Sequence, residues 1–178
     1  MSDFIDLWLH LIGMGTYFGS TLAIVLFVLP MARAEDDPAA RRRLLSRALR
    51  VYNPLVIAAL GVMLMTGAFN LTSYKAALRG TFFAELGSVL IWKLSLFFVL
   101  MITATYSVFG LGHRLVRFEQ WQEPVDAAKE DGIVRRLSSS LVVALLLTAA
   151  IAWLGLRLAH PGLQSPPTVV PSAAHLDA

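Results

Sequence analysis

The composition of this chain points to a membrane protein. It has 178 residues, of which 57% are hydrophobic and 15% are charged, with a formal net charge of +3 and a mean hydropathy of +0.66. Soluble domains contain about 45–50% apolar and about 25% charged residues, so an ordinary soluble domain is excluded. The chain has no cysteine, which excludes disulfides, thiolate metal sites and iron–sulfur clusters.

Four apolar stretches occupy more than half of the chain. Each reaches the length of about 20 residues that a helix needs to cross the hydrocarbon core. We predict an all-α fold, an integral membrane four-helix bundle within residues 1–160, with helices at about 4–29, 52–72, 86–116 and 137–158. Residues 161–178 are rich in Pro, Ser and Ala and have little to bury, so we expect a disordered outer tail.

The first helix carries several candidate site residues. It lacks the basic start and the cleavage site of a secretory signal peptide, so we expect it to be retained in the membrane. At helical spacing, Asp6, His10 and Tyr17 fall on one stripe of this helix.

The second helix follows a basic segment. Pro38 is expected to open a short amphipathic helix on the inner membrane surface, and the Asn53–Pro54 pair is expected to begin the second membrane helix. Gly61 and Gly67 are small enough to permit close contact with a neighbouring helix.

The third helix contains a second ionisable residue at depth, Lys93. At 1.5 Å per residue, His10 and Lys93 both lie roughly 10 Å below the outer ends of their helices. Lipid offers no partner to an ionisable group, so we expect both side chains to face the bundle interior and to mark a functional site. Two simpler interpretations remain open. Lys93 can extend its stem to the headgroups, and His10 can pack as a neutral ring against a backbone or hydroxyl group.

Basic residues are concentrated on one side of the predicted bundle. Most of the 15 Lys and Arg residues lie in segments 33–50 and 113–136. By the positive-inside rule both segments are cytoplasmic, which places the N- and C-termini outside, in the inner (cytoplasmic) membrane of a bacterium. Topology accounts for these clusters, so we predict membrane lipid as a partner and no nucleic-acid binding.

Other candidate metal ligands lie apart from this site. His113 is about 30 Å from Lys93 along the same helix, at the opposite membrane face. Methionine could ligate Cu(I), but Met14, Met63, Met65 and Met101 are scattered in depth, which favours core packing.

Several short motifs resemble those of HemJ-type membrane proteins. They are the segment from His10 to Gly19 (HLIGMGTYFG), Arg42-Arg43-Leu44, Asn53-Pro54, Trp92-Lys93-Leu94 and Arg135-Arg136-Leu137. The resemblance spans about residues 5–160. The chain departs from the family pattern at Tyr17, where a Trp is usual, and at Thr105-Tyr106-Ser107, which replaces a histidine-containing stretch. The related CopD domain, associated with copper handling, has a similar helix layout.

The resemblance implies a four-helix membrane protein that binds b-type haem and participates in oxidising protoporphyrinogen to protoporphyrin. His10 would be the haem ligand, and Lys93 would either pair with a porphyrin propionate or act catalytically in proton handling. Asp6 or Tyr17 would hold the His10 ring. With one buried histidine per chain, bis-histidine ligation would require a homodimer; otherwise the iron is five-coordinate or takes a different sixth ligand.

Three functions remain open from the sequence. The first is a haem b membrane redox protein that passes electrons to other membrane redox subunits. The second is a CopD-like protein that handles or transports copper through His10, Asp6 and the methionines. The third is an accessory subunit of a membrane complex without chemistry of its own.

Overall fold

The protein is built from long helices. The structure is a computed structural model that describes residues 2–78, 82–122 and 126–159, and these segments contain no strand. The helices are α1 (Ser2–Ala23), α2 (Leu29–Ala34), α3 (Pro38–Leu78), α4 (Phe82–Thr105), α5 (His113–Gln120) and α6 (Ala127–Ala159). Two π-helical segments, Ile24–Val28 and Tyr106–Gly112, join α1 to α2 and α4 to α5. The predicted tail, residues 161–178, lies outside the described residues.

Four helical spans in the described segments are long and apolar enough to cross a membrane. We number them span 1 (Phe4–Ala34), span 2 (Pro38–Thr72), span 3 (Gly87–Gln120) and span 4 (Ala128–Leu156). This confirms the predicted all-α four-helix membrane bundle. Large apolar side chains such as Phe27, Phe98 and Leu146 are exposed on its surface, where lipid would cover them.

The four spans pair into two hairpins. Span 1 packs mainly on span 2, and span 3 mainly on span 4. The hairpins join through contacts of α3 with α5. We call the end that carries α2, α5 and the starts of α3 and α6 the basic end, and the opposite end the outer end.

The second membrane helix begins earlier than predicted. α3 runs without interruption from Pro38 to Leu78, so the predicted start at Asn53–Pro54 is wrong, and the residues after Pro38 form no separate surface helix. Pro54 removes one backbone hydrogen bond from the helix interior. A buried stripe at helical spacing nevertheless continues through this region, and it consists of Leu45, Leu49, Tyr52 and Val56. Burial of this stripe offsets the lost bond.

The other two boundaries at the basic end also differ from prediction. α6 begins at Ala127 and not near residue 137. Its first turns are held because Ile133 and Val134 are buried. The third membrane helix continues through its π-helical segment to Gln120, beyond the predicted end near residue 116.

Ion pairs join α3 to α6 at the basic end. The Arg42 guanidinium donates to Glu130 Oε2 from Nε at 2.9 Å and from Nη2 at 2.7 Å. Glu130 is only 4% exposed. Arg41 pairs with Asp131 next to it. These ion pairs therefore connect the two hairpins at the basic end.

The two hairpins repeat one pattern of buried positions. When span 1 is aligned with span 3 so that His10 matches Lys93, buried positions coincide, as in the pairs Tyr17 with Leu100, Thr21 with Ala104, Ile24 with Ser107 and Ala32 with Leu115. Spans 2 and 4 match in the same way, with the buried pairs Leu45 and Ile133, Leu49 and Leu137, Val56 and Ala144, and Met63 and Ile151. The π-helical segments of spans 1 and 3 overlap in this alignment. With His10 and Lys93 taken as the matching pair, the buried positions of the two hairpins therefore follow the same helical spacing.

Gly13 lies where spans 1 and 2 come close together. A Cβ added there would lie 3.1 Å from Met63 Cγ and 3.2 Å from the carbonyl oxygen of Ala59. We expect Gly13→Ala to lower the free energy of unfolding by about 1–3 kcal/mol, the usual cost of overpacking. Gly15→Ala is the matched control, because nothing lies within 4 Å of a Cβ there. Thermal denaturation in detergent measures both, and equal midpoints for the two variants would contradict the prediction.

Candidate functional site

His10 and Lys93 lie at the outer edge of the packed core. No residue is buried between Phe4 and Ile12 in span 1, or between Ser88 and Val99 in span 3. Below these segments the two spans are lined with buried side chains down to the basic end. His10 and Lys93 are themselves half-buried. The two ionisable groups therefore lie between an apolar core and the end of the bundle opposite the basic end.

A hydroxyl group from span 2 orients the His10 ring. Nδ1 of His10 lies 2.9 Å from Thr66 Oγ1, and Thr66 is 4% exposed. The Thr66 hydroxyl donates to the Val62 carbonyl oxygen at 2.6 Å. Since that proton is already used, Thr66 Oγ1 accepts from Nδ1–H. The neutral ring then carries its lone pair on Nε2, and the Met63 backbone also interacts with the ring.

Glycine lets the ring approach span 2. A Cβ added to Gly67 would lie 3.6 Å from Cε1 of His10, so the imidazole rests directly on this residue. The predicted close contact at Gly67 is confirmed. The same prediction for Gly61 is wrong, because nothing lies within 4 Å of a Cβ there.

Lys93 contacts span 4 in the equivalent way. Its Nζ lies 3.5 Å from the position of a Cβ on Gly155, which matches Gly67 in the repeat. The side chain is thus directed along the neighbouring span. The Lys93 ammonium would repel a positively charged His10 ring, so the two groups do not stabilise each other. Among the described residues, no hydrogen bond or ion pair is made to this ammonium, although a charge in a membrane span needs a partner.

Asp6 and Tyr17 do not hold the His10 ring. Asp6 is half-buried one turn above His10 and makes no hydrogen bond to it. Tyr17 is 1% exposed and lies in the core, where its carbonyl oxygen accepts from Thr21 Oγ1 at 2.7 Å. That hydroxyl also lies 3.1 Å from Tyr52 Oη. Thr66 takes the orienting role predicted for Asp6 or Tyr17, and a role of these two residues in cofactor binding stays a prediction.

Thr66 was missed by the sequence reasoning. The sequence did contain one signal for it: Thr66-Gly67 lies about as far below the outer end of span 2 as His10 lies below the outer end of span 1. A hydroxyl next to a glycine at matched depth is the combination that a buried imidazole needs.

The remaining candidate ligands lie elsewhere. His113 is exposed at the start of α5, near the basic end, as expected. Met63 is 2% exposed and Met14 and Met101 pack against the core, which confirms core packing for these three. Met65 is exposed. The described residues contain no group of three or more His, Cys, Asp or Glu side chains that could hold a metal ion.

Comparison with known proteins identifies no relative of this chain. No protein-family model matches the chain, and no curated protein or solved structure is significantly similar to it. The chemistry of the site must therefore be argued from its own geometry.

Filling the space beneath the ring tests this geometry. We expect Gly67→Leu to displace the His10 ring and to break its bond to Thr66, at a cost of about 1–3 kcal/mol in the free energy of unfolding. The ¹⁵N resonances of the His10 imidazole should shift accordingly. Gly61→Leu, on the same helix but facing open space, should leave them unchanged. Identical imidazole resonances in both variants would show that the ring does not rest on Gly67.

Proposed function

We propose that this chain is a membrane redox protein that binds a b-type haem, with His10 as an axial ligand of the iron. The observation that carries the proposal is the His10 ring itself, whose Nδ1 is engaged by Thr66 while Nε2 is left with its lone pair. Histidine is a common axial ligand of haem iron. A ligating histidine usually donates its other ring N–H to a fixed acceptor, and Thr66 is such an acceptor.

The Lys93 ammonium pairs with none of the described residues, and this supports a ligand that carries carboxylates. Haem b has two propionates, and an ammonium–carboxylate hydrogen bond is strong because both partners are charged. Lys93 and His10 lie at the same depth in spans 3 and 1, and the proposal assigns one ligand to both groups.

Each residue of the site has a definite task in this proposal. When bound, the haem supplies one-electron chemistry. Thr66 fixes the ring tautomer and orientation of His10, and Gly67 leaves space for the ring against span 2. Lys93 neutralises a carboxylate that would otherwise be buried without a partner. The resemblance to HemJ-type proteins adds protoporphyrinogen oxidation as the proposed reaction, with Lys93 as the residue placed to handle a proton.

Haem titration of the detergent-solubilised protein tests the proposal. Ferric haem b added to the wild-type chain should give a saturable Soret band at one haem per chain. His10→Ala should lose it, and His113→Ala, which removes an exposed histidine near the other end, should keep it. An unsaturable wild-type signal, or an unchanged band in His10→Ala, would contradict haem ligation by His10. Stoichiometric copper in a haem-free sample would favour the CopD-like alternative.

A further inference from the structure

A basic groove lies between α5 and α6 at the basic end. Its volume is about 290 Å³, and its lining includes Arg114 from α5 together with Lys129, Gly132, Ile133 and Arg136 from α6. The four α6 residues follow helical spacing and share one face of the helix, with Arg114 on the neighbouring helix. The floor is apolar, since Ile133 is buried, while the three basic side chains are exposed.

Among the described residues, no ion pair balances the charges of this groove. None of its described lining residues is acidic, and none of its three basic side chains forms an ion pair with a described residue. The two carboxylates that follow Lys129 in the sequence, Glu130 and Asp131, pair with Arg42 and Arg41 of α3. Three like charges held close together repel one another unless an anion lies between them.

We propose that this groove binds the phosphate of an anionic phospholipid. It lies at the inner ends of spans 3 and 4, where the headgroups of the adjoining leaflet would be. Basic pockets between membrane helices are known to bind anionic headgroups on the cytoplasmic side. The apolar floor favours a lipid over free phosphate, because it offers contact to the glycerol and the first methylenes of the acyl chains. The proposal is independent of haem binding.

Gly132 allows the groove to be filled without removing a charge. Nothing lies within 4 Å of a Cβ at this position, and leucine is favoured over glycine inside a helix. Gly132→Leu should therefore fold normally while occupying the lipid site. A second variant, Arg114→Gln/Lys129→Gln/Arg136→Gln, keeps the space and removes the charge. The control, Arg43→Gln/Arg47→Gln/Arg50→Gln, removes the same charge from exposed positions of α3.

Native mass spectrometry from mixed phosphatidylglycerol and phosphatidylcholine vesicles tests the proposal. Wild-type protein and the α3 control should retain phosphatidylglycerol over phosphatidylcholine. Both groove variants should lose this preference by about tenfold or more. Unchanged retention in Gly132→Leu, or equal loss in the α3 control, would overturn the proposal. Displacement of the lipid by millimolar inorganic phosphate would also overturn it, because the groove would then recognise phosphate alone.

Discussion

Lys93→Met is expected to weaken haem b binding by about 10–100-fold. The substitution keeps an unbranched side chain but removes the ammonium, and with it the pairing of a propionate proposed above. Hydrogen bonds to charged groups contribute about 1.5–3 kcal/mol, and each 1.4 kcal/mol is about tenfold in affinity. The Soret titration measures the change directly. The His10 ligand remains in place, so the variant should still reach the wild-type stoichiometry.

Haem b dimethyl ester is the matched control for Lys93. Both of its propionates are esterified and uncharged, so the wild-type chain and Lys93→Met should bind it with similar affinity. Equal weakening of both ligands in the variant would show that Lys93 acts through packing and not through a carboxylate. A protoporphyrinogen oxidation assay on the same variant adds a second readout. Unchanged turnover would remove Lys93 from the proposed proton handling.

Glu130→Ala is expected to lower the free energy of unfolding by about 3 kcal/mol. The carboxylate is 4% exposed and accepts two hydrogen bonds from Arg42. Removing the buried carboxylate leaves the Arg42 guanidinium, whose side chain is 21% exposed, without its partner, which is costly. Reversible unfolding in detergent and denaturant measures the loss.

Asp131→Ala is the matched control for Glu130. Its side chain is 61% exposed, and exposed ion pairs contribute only about 0–1 kcal/mol. The double variant Arg42→Leu/Glu130→Leu should recover most of the loss, because it leaves no buried charge. Equal destabilisation at positions 130 and 131 would show that burial of the Arg42–Glu130 pair is not what stabilises this end of the bundle.

Hydropathy was sufficient to predict the four spans, because the lipid-facing surface makes them apolar over their whole length. The boundaries at the basic end were wrong for a related reason. There the helices leave the hydrocarbon region, and their polar faces conceal buried stripes such as Leu45 and Leu49. Asn53–Pro54 has the features of a helix start, but tertiary packing extends α3 through it.

The depth of His10 and Lys93 was predictable by counting residues along each helix. The residues that contact them could not be predicted, because a contact such as that of His10 with Thr66 depends on how one helix is rotated against another. The repeat was also hidden, since equivalent positions hold different residues, as at His10 and Lys93. It becomes evident only when burial is compared between the hairpins.

Imidazole rescue of His10→Gly tests the proposed haem ligand. The substitution removes the ring and leaves room next to Thr66 and Gly67 for free imidazole. We expect this variant to show no saturable Soret band with haem b alone, and to regain one as imidazole is added. His10→Gly that binds haem b like the wild-type chain without imidazole would contradict ligation by His10.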